Sequence, residues 1–87
     1  MQHKYIVYDK HHAVCFVGSL THAGFDYRND YEQPRNWRRF EVTSAGFFQL
    51  SVVDGKIKVN VFGESESLKI KSDPHDATLI ALALGII

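Results

Sequence analysis

The sequence predicts an α+β fold: a mixed, mostly antiparallel sheet of about five or six strands with one C-terminal helix packed on it. Three observations predict it. Residues 46–63, GFFQLSVVDGKIKVNVFG, alternate apolar and polar side chains on both sides of Asp54-Gly55, the strongest short-range signal for a tight hairpin. Residues 4–8 and 13–17 form a second pair of strand-like runs. A single apolar run, residues 77–84, is bracketed by Asp73-Pro74-His75-Asp76 and by Gly85, the residue types that start and stop a helix.

Taken in order, the first two strands join through Asp9-Lys10-His11-His12. Pairing Tyr8 with Ala13 sets Val7 opposite Val14, Ile6 opposite Cys15 and Tyr5 opposite Phe16, so both faces come out apolar. Such a pair belongs at the centre of a sheet or under cover on both sides. Residues 19–36 are the least regular part of the chain. Ser19 or Thr21 can cap a short helical turn over Leu20, His22 and Ala23, which Gly24 interrupts. The polar, charged and aromatic run that follows, with Pro34 holding Gln33 extended, reads as a long surface loop. Residues 37–43 return to alternation, with Arg38, Phe40 and Val42 on one side and Trp37, Arg39, Glu41 and Thr43 on the other. Ser44-Ala45-Gly46 is then expected to bend the chain into the next hairpin.

With Asp54 and Gly55 as the two turn residues, one face of that hairpin pairs Val52 with Ile57, Leu50 with Val59 and Phe48 with Val61. The other pairs Val53 with Lys56, Ser51 with Lys58, Gln49 with Asn60 and Phe47 with Phe62. A one-residue slip would mix polar and apolar side chains on each face, so this register is preferred. Each cross-strand pair is worth roughly 0.2–1 kcal/mol, and the larger stabilisation is expected from burying the apolar face. After Gly63, Glu64-Ser65-Glu66-Ser67 reads as an acidic loop, and Leu68-Lys69-Ile70-Lys71 as a short strand with edge-protecting lysines.

The helix follows. Asp73 can cap it, Pro74 suits its first position, Asp76 lies where the helix dipole favours an anion, and Gly85 ends it with Ile86 folding back. Between them the helix has almost no polar face. A helix laid on a sheet normally shows a polar outer side, so either the long loop covers this one or a partner does. A symmetric homodimer is the commonest partner arrangement. Association is therefore favoured over a loop-covered monomer, with Leu79, Leu82, Ala83 and Ile86 as the contact residues and the Phe47/Phe62 pair as a weaker second element.

Composition bounds the function. The chain has 87 residues, 45% of them hydrophobic and 23% charged, which is one small globular domain (1–87) and neither a disordered nor a fibrous chain. Ten basic and ten acidic residues cancel, so no global field draws nucleic acid or an anionic membrane. Cys15 is the only cysteine, which rules out an internal disulfide, and buried it is an inert apolar side chain. The opening Met1-Gln2-His3-Lys4-Tyr5 lacks the apolar run of a signal peptide, and a cytoplasmic location is expected.

No constellation of catalytic residues emerges, and an enzyme is not expected. His3, His11, His12, His22 and His75 have no metal-ligand spacing, so neither metal nor cofactor is predicted. Gly63-Glu64-Ser65-Glu66-Ser67 falls one glycine short of a nucleophile elbow and precedes an extended segment. Asp73 and Asp76 would repel an anion from the helix start. Arg28, Arg35, Trp37, Arg38 and Arg39 interleave basic and aromatic groups as single-strand-binding surfaces do, although Asp30, Glu32 and Glu41 dilute the charge. The leading expectation is a non-catalytic interaction module that self-associates. A nucleic-acid-binding accessory domain using those arginines ranks second, and a histidine-based metal or small-ligand site third.

Overall fold

The structure is a computed structural model and describes residues 3–17, 21–24 and 41–86. Its elements run β1 (His3–Tyr8), β2 (His12–Val17), β3 (Val42–Val53), β4 (Lys56–Phe62), β5 (Glu64–Ser65), β6 (Ile70–Lys71) and α1 (Asp76–Ala83). The fold is α+β. A four-stranded sheet of order β2-β1-β3-β4 is antiparallel throughout, and β5 and β6 form a separate two-stranded ribbon. The helix packs on one face of the larger sheet, touching β2 and β4 most.

The β3–β4 hairpin adopts the expected register, from Phe47 opposite Phe62 to Val53 opposite Lys56. Asp54 (φ 52°) and Gly55 (φ 77°) both take positive φ, the signature of a type I′ turn whose twist matches that of the strands.

The first hairpin differs by one residue: Tyr8 pairs with His12, Ile6 with Val14 and Tyr5 with Cys15. Asp9 (φ 52°) and Lys10 (φ 62°) are both left-handed, and His11 N–H donates to the Tyr8 carbonyl at 3.1 Å. Long-range bonds hold this turn. Asp9 N–H donates to the Glu41 carbonyl (2.8 Å), its carboxylate accepts Glu41 N–H (3.0 Å), and Lys10 N–H donates to Thr43 Oγ1 (2.9 Å). Because both faces are apolar in either register, hydrophobic pattern had no power to choose between them. The expected burial on two sides is found. Tyr5, Val7 and Ala13 join Phe48, Val59, Ile80 and Ala81 under the helix, while Ile6, Tyr8 and Ala45 pack with Leu68 and Ile70 on the other side.

Ser44-Ala45-Gly46 does not bend the chain. It lies inside β3, opposite Val7, Ile6 and Tyr5, and the register shifts between Val7 and Tyr8 in a bulge around Thr43. Close approach is what demands small residues there. A Cβ on Gly46 would stand 2.8 Å from the Phe62 carbonyl oxygen and 3.1 Å from Ser72 Cβ. The supposed acidic loop is partly strand, since Ser65 in β5 is fully buried and its hydroxyl accepts Leu68 N–H at 3.1 Å. Only Ile70–Lys71 of the next segment is extended, because Lys69 takes φ 58° in the turn.

Helix α1 has the predicted C-terminal end, but it starts later than expected: Pro74 is not its first residue, and His75, at the N-cap, makes no side-chain capping bond. Asp73 Oδ1 accepts His75 N–H (2.9 Å) and Asp76 Oδ2 accepts Asp73 N–H (2.9 Å), a reciprocal capping arrangement. The turn over Pro74 and His75 precedes the α-helix proper, which begins at Asp76. At the other end Gly85 (φ 73°) lets Ile86 N–H reach the Ala81 carbonyl (2.9 Å) and its own N–H reach that of Leu82 (3.2 Å), the Schellman pattern.

One expectation about packing fails. Of the hairpin's apolar face, only Phe48 and Val59 are buried, with Val61 half-buried; Leu50 is 48%, Val52 73% and Ile57 52% exposed. Length explains it: an eight-residue helix is about 12 Å long, whereas twelve residues of β3 span about 40 Å. The far half of the hairpin extends past the helix.

Candidate interaction surface

The hairpin and the helix end together form an apolar surface. Val52 and Ile57 face each other across the ladder, on the same side as the helix. Between β4 and α1 lies an open cleft of ≈ 780 Å³, lined on one wall by Ile57, Lys58 and Val59 and on the other by Ala81, Leu84 and Ile86. Leu84 is 44% and Leu82 58% exposed. Hydrophobic side chains therefore continue from the hairpin arm across the cleft to the helix.

Among the expected contact residues, Leu82 and Ala83 are exposed, whereas Leu79 and Ile86 are partly buried against the core. Leu50, Val52, Ile57 and Leu84 were missed. The first three looked like core by alternation, and only the mismatch in element length exposes them. Phe47 and Phe62 stack with centroids 5.8 Å apart, but strand alternation puts them on the face opposite α1. They are a separate feature. His22, in a helical turn over residues 22–24, stands edge-on to Phe47 (5.4 Å) and to Phe16 (5.5 Å) and bonds the Gly46 carbonyl through Nε2 at 2.8 Å. Burial, with help from nearby Lys4, pushes the His22 pKa below its ordinary value against the opposing effect of the Gly46 bond. A second cleft of ≈ 460 Å³ lies beside it, with Lys4, Phe47, Glu64 and Glu66 in its lining.

The histidines do not converge. His3 stacks on Phe48 (5.3 Å), His11, His12 and His75 are exposed, and His22 is buried. Among the described residues no group of three or more His, Cys, Asp or Glu side chains could hold a metal ion. Cys15 is half-buried, and burial pushes its thiol pKa up, which suppresses the reactive thiolate.

One buried polar cluster was not foreseen. Asp76, 2% exposed, accepts the Tyr5 hydroxyl at Oδ2 (2.6 Å) and the Ser44 hydroxyl at Oδ1 (2.8 Å). Burial first, then the Asp76 bond and charge, drive the Tyr5 pKa far above its usual value. Every oxygen in the cluster has a partner, and all three side chains are buried. This arrangement ties the helix start to β1 and β3. With each of these oxygens already partnered inside the fold, we assign the cluster a structural role. The alternating period of β1 placed Tyr5 inward, but nothing local paired it with a residue 71 positions away.

Arg28, Arg35, Trp37, Arg38 and Arg39 lie outside the described residues. Among the described residues, no helix is long and apolar enough to cross a membrane. Compared with protein-family models, curated proteins and solved structures, the chain matches none.

Proposed function

We propose that this chain is a small non-catalytic interaction module that self-associates, using the far half of the β3–β4 hairpin and the C-terminal half of α1. The observation that carries this reading is the exposure of Leu50 (48%), Val52 (73%), Ile57 (52%), Leu82 (58%) and Leu84 (44%) in a domain of this size. Scattered surface leucines need no explanation, but apolar side chains gathered on a hairpin arm and an adjoining helix end do. Fully burying one such side chain is worth about 1.5–3 kcal/mol, so covering several of them half-way supplies the driving force for a dimer. Zero formal charge leaves no net repulsion between two copies.

Native mass spectrometry of the untagged protein, alongside Leu82→Glu and Val52→Lys, tests the reading. The wild type is expected at twice the chain mass and the variants at or near the single-chain mass, with far-UV circular dichroism unchanged. A monomeric wild type across the accessible concentration range, or a dimer indifferent to both substitutions, removes the proposal.

A further inference from the structure

We propose that two copies join edge to edge through β4, antiparallel and centred on Val59, merging their four-stranded sheets into one. This deepens the self-association reading and rests on it. The edge is open: β4 ends the order β2-β1-β3-β4, and among the described residues no strand pairs with its outer side. Its backbone is also correctly phased. The two-residue turn makes Val53 and Lys56 a hydrogen-bonded pair, and alternation along an antiparallel ladder then turns the N–H and C=O groups of Lys56, Lys58, Asn60 and Phe62 toward β3. Those of Ile57, Val59 and Val61 point outward.

The side chains select the register. β4 is seven residues long, Lys56–Phe62, with Val59 at its centre, so a twofold axis at Val59 pairs the whole strand with its copy. Val59 then meets the partner's Val59, and Ile57 meets the partner's Val61, all on the face that carries the helix and the cleft. On the opposite face Lys58 meets the partner's Asn60. The amide nitrogen of Asn60 already donates to Ser51 Oγ at 3.2 Å, which leaves its Oδ1 to accept the ammonium. Lys56 meets the partner's Phe62, a residue 44% exposed in one copy, whose ring offers a cation–π contact. Other registers are worse. Centring on Lys58 sets two ammonium groups opposite each other, centring on Ile57 opposes Lys56 to the partner's Lys58, and centring on Asn60 leaves Lys56 and Ile57 past the end of the partner strand. Like charges directly opposite are destabilising. The other edge is less suited, since β2 has six residues and no central residue about which a twofold pairing could span its length. An exposed edge strand is an invitation to pairing; the match of β4 with itself makes a second copy its occupant.

Disulfide trapping tests the register. In a Cys15→Ser background, Lys58→Cys and Asn60→Cys variants, one carrying a mass tag, are mixed, oxidised and separated by mass. Non-hydrogen-bonded pairs bring Cα atoms to about 4.5 Å, within disulfide reach. The mixed 58–60 product is expected in roughly tenfold excess over either like-with-like product, against the twofold excess of random collision. Ile57→Pro removes an outward N–H without touching the β3 ladder and is expected to be a folded monomer. Like-with-like products in comparable yield refute the register. A wild-type dimer that gives no mixed product and survives Ile57→Pro refutes the edge while self-association stands, and a monomeric wild type refutes both.

Discussion

Replacing Asp76 by alanine probes the bond between helix and sheet most directly. The substitution strands three donors that its carboxylate now accepts: the Tyr5 hydroxyl (2.6 Å), the Ser44 hydroxyl (2.8 Å) and Asp73 N–H (2.9 Å). A hydrogen bond to a charged acceptor contributes about 1.5–3 kcal/mol, but the three share one acceptor and are not additive. Leaving a buried donor without its acceptor costs about 1–3 kcal/mol each, so with the sharing a total of about 3–5 kcal/mol is expected. At about 0.05–0.15 kcal/mol per residue, a domain of this size has about 4–13 kcal/mol to lose. Asp76→Ala is therefore expected to take a large fraction of the stability, and Tyr5→Phe about 1.5–3 kcal/mol, since it removes one donor and leaves the carboxylate two others. Urea denaturation followed by circular dichroism gives both values, with an unchanged slope showing that the same surface is exposed. In the Asp76→Asn background, Tyr5→Phe should cost less than it does alone. A loss below about 1 kcal/mol for Asp76→Ala, or equal costs of Tyr5→Phe in both backgrounds, would refute the assignment of this cluster as the anchor of α1.

Further outcomes follow from single positions. Gly46→Ala puts a methyl 2.8 Å from the Phe62 carbonyl oxygen, a backbone atom that cannot swing away, and should cost about 1–3 kcal/mol by urea melt. Gly85→Ala meets no atom within 4 Å but must hold φ near 73°, so a loss of about 1–2 kcal/mol from conformation alone is expected; an unchanged midpoint would show that the Schellman turn does not matter. His22 is held below its ordinary pKa by burial, so the unfolded chain binds its proton first as pH falls. Its contribution is full above about pH 6.5 and declines as pH drops from there toward the folded value. Melting temperatures between pH 7.5 and pH 5 should therefore fall, and fall less for His22→Gln; parallel curves would count against this.

Both hairpins, helix α1 and its C-terminal end were legible in the sequence because each is specified locally. Asp54-Gly55 permits the left-handed turn that fixes the β3–β4 register, and a one-residue slip from that register would set Ser51 against Val59 on one face. Asp73 and Gly85 act within one helical turn of themselves. The first hairpin was readable as a hairpin but not in register, because a run that is apolar on both faces carries no phase information. The choice came from Glu41 and Thr43 gripping the Asp9-Lys10 turn across the fold.

The candidate surface divides the same way. A helix without a polar face, Leu82 and Ala83 included, was visible from composition. That Leu50, Val52 and Ile57 join it was not, since alternation reports which side of a strand a residue occupies and is silent about whether anything covers that side. What the sequence by itself determined was therefore the set of elements, their local turns and caps, and which face of each is apolar, because these depend on residues within a few positions of one another. What only the tertiary structure decided was how far the helix reaches along β3, that Asp76 meets Tyr5 and Ser44, and that among the described residues no strand pairs with the outer side of β4. Those depend on the relative lengths and placement of elements far apart in the chain.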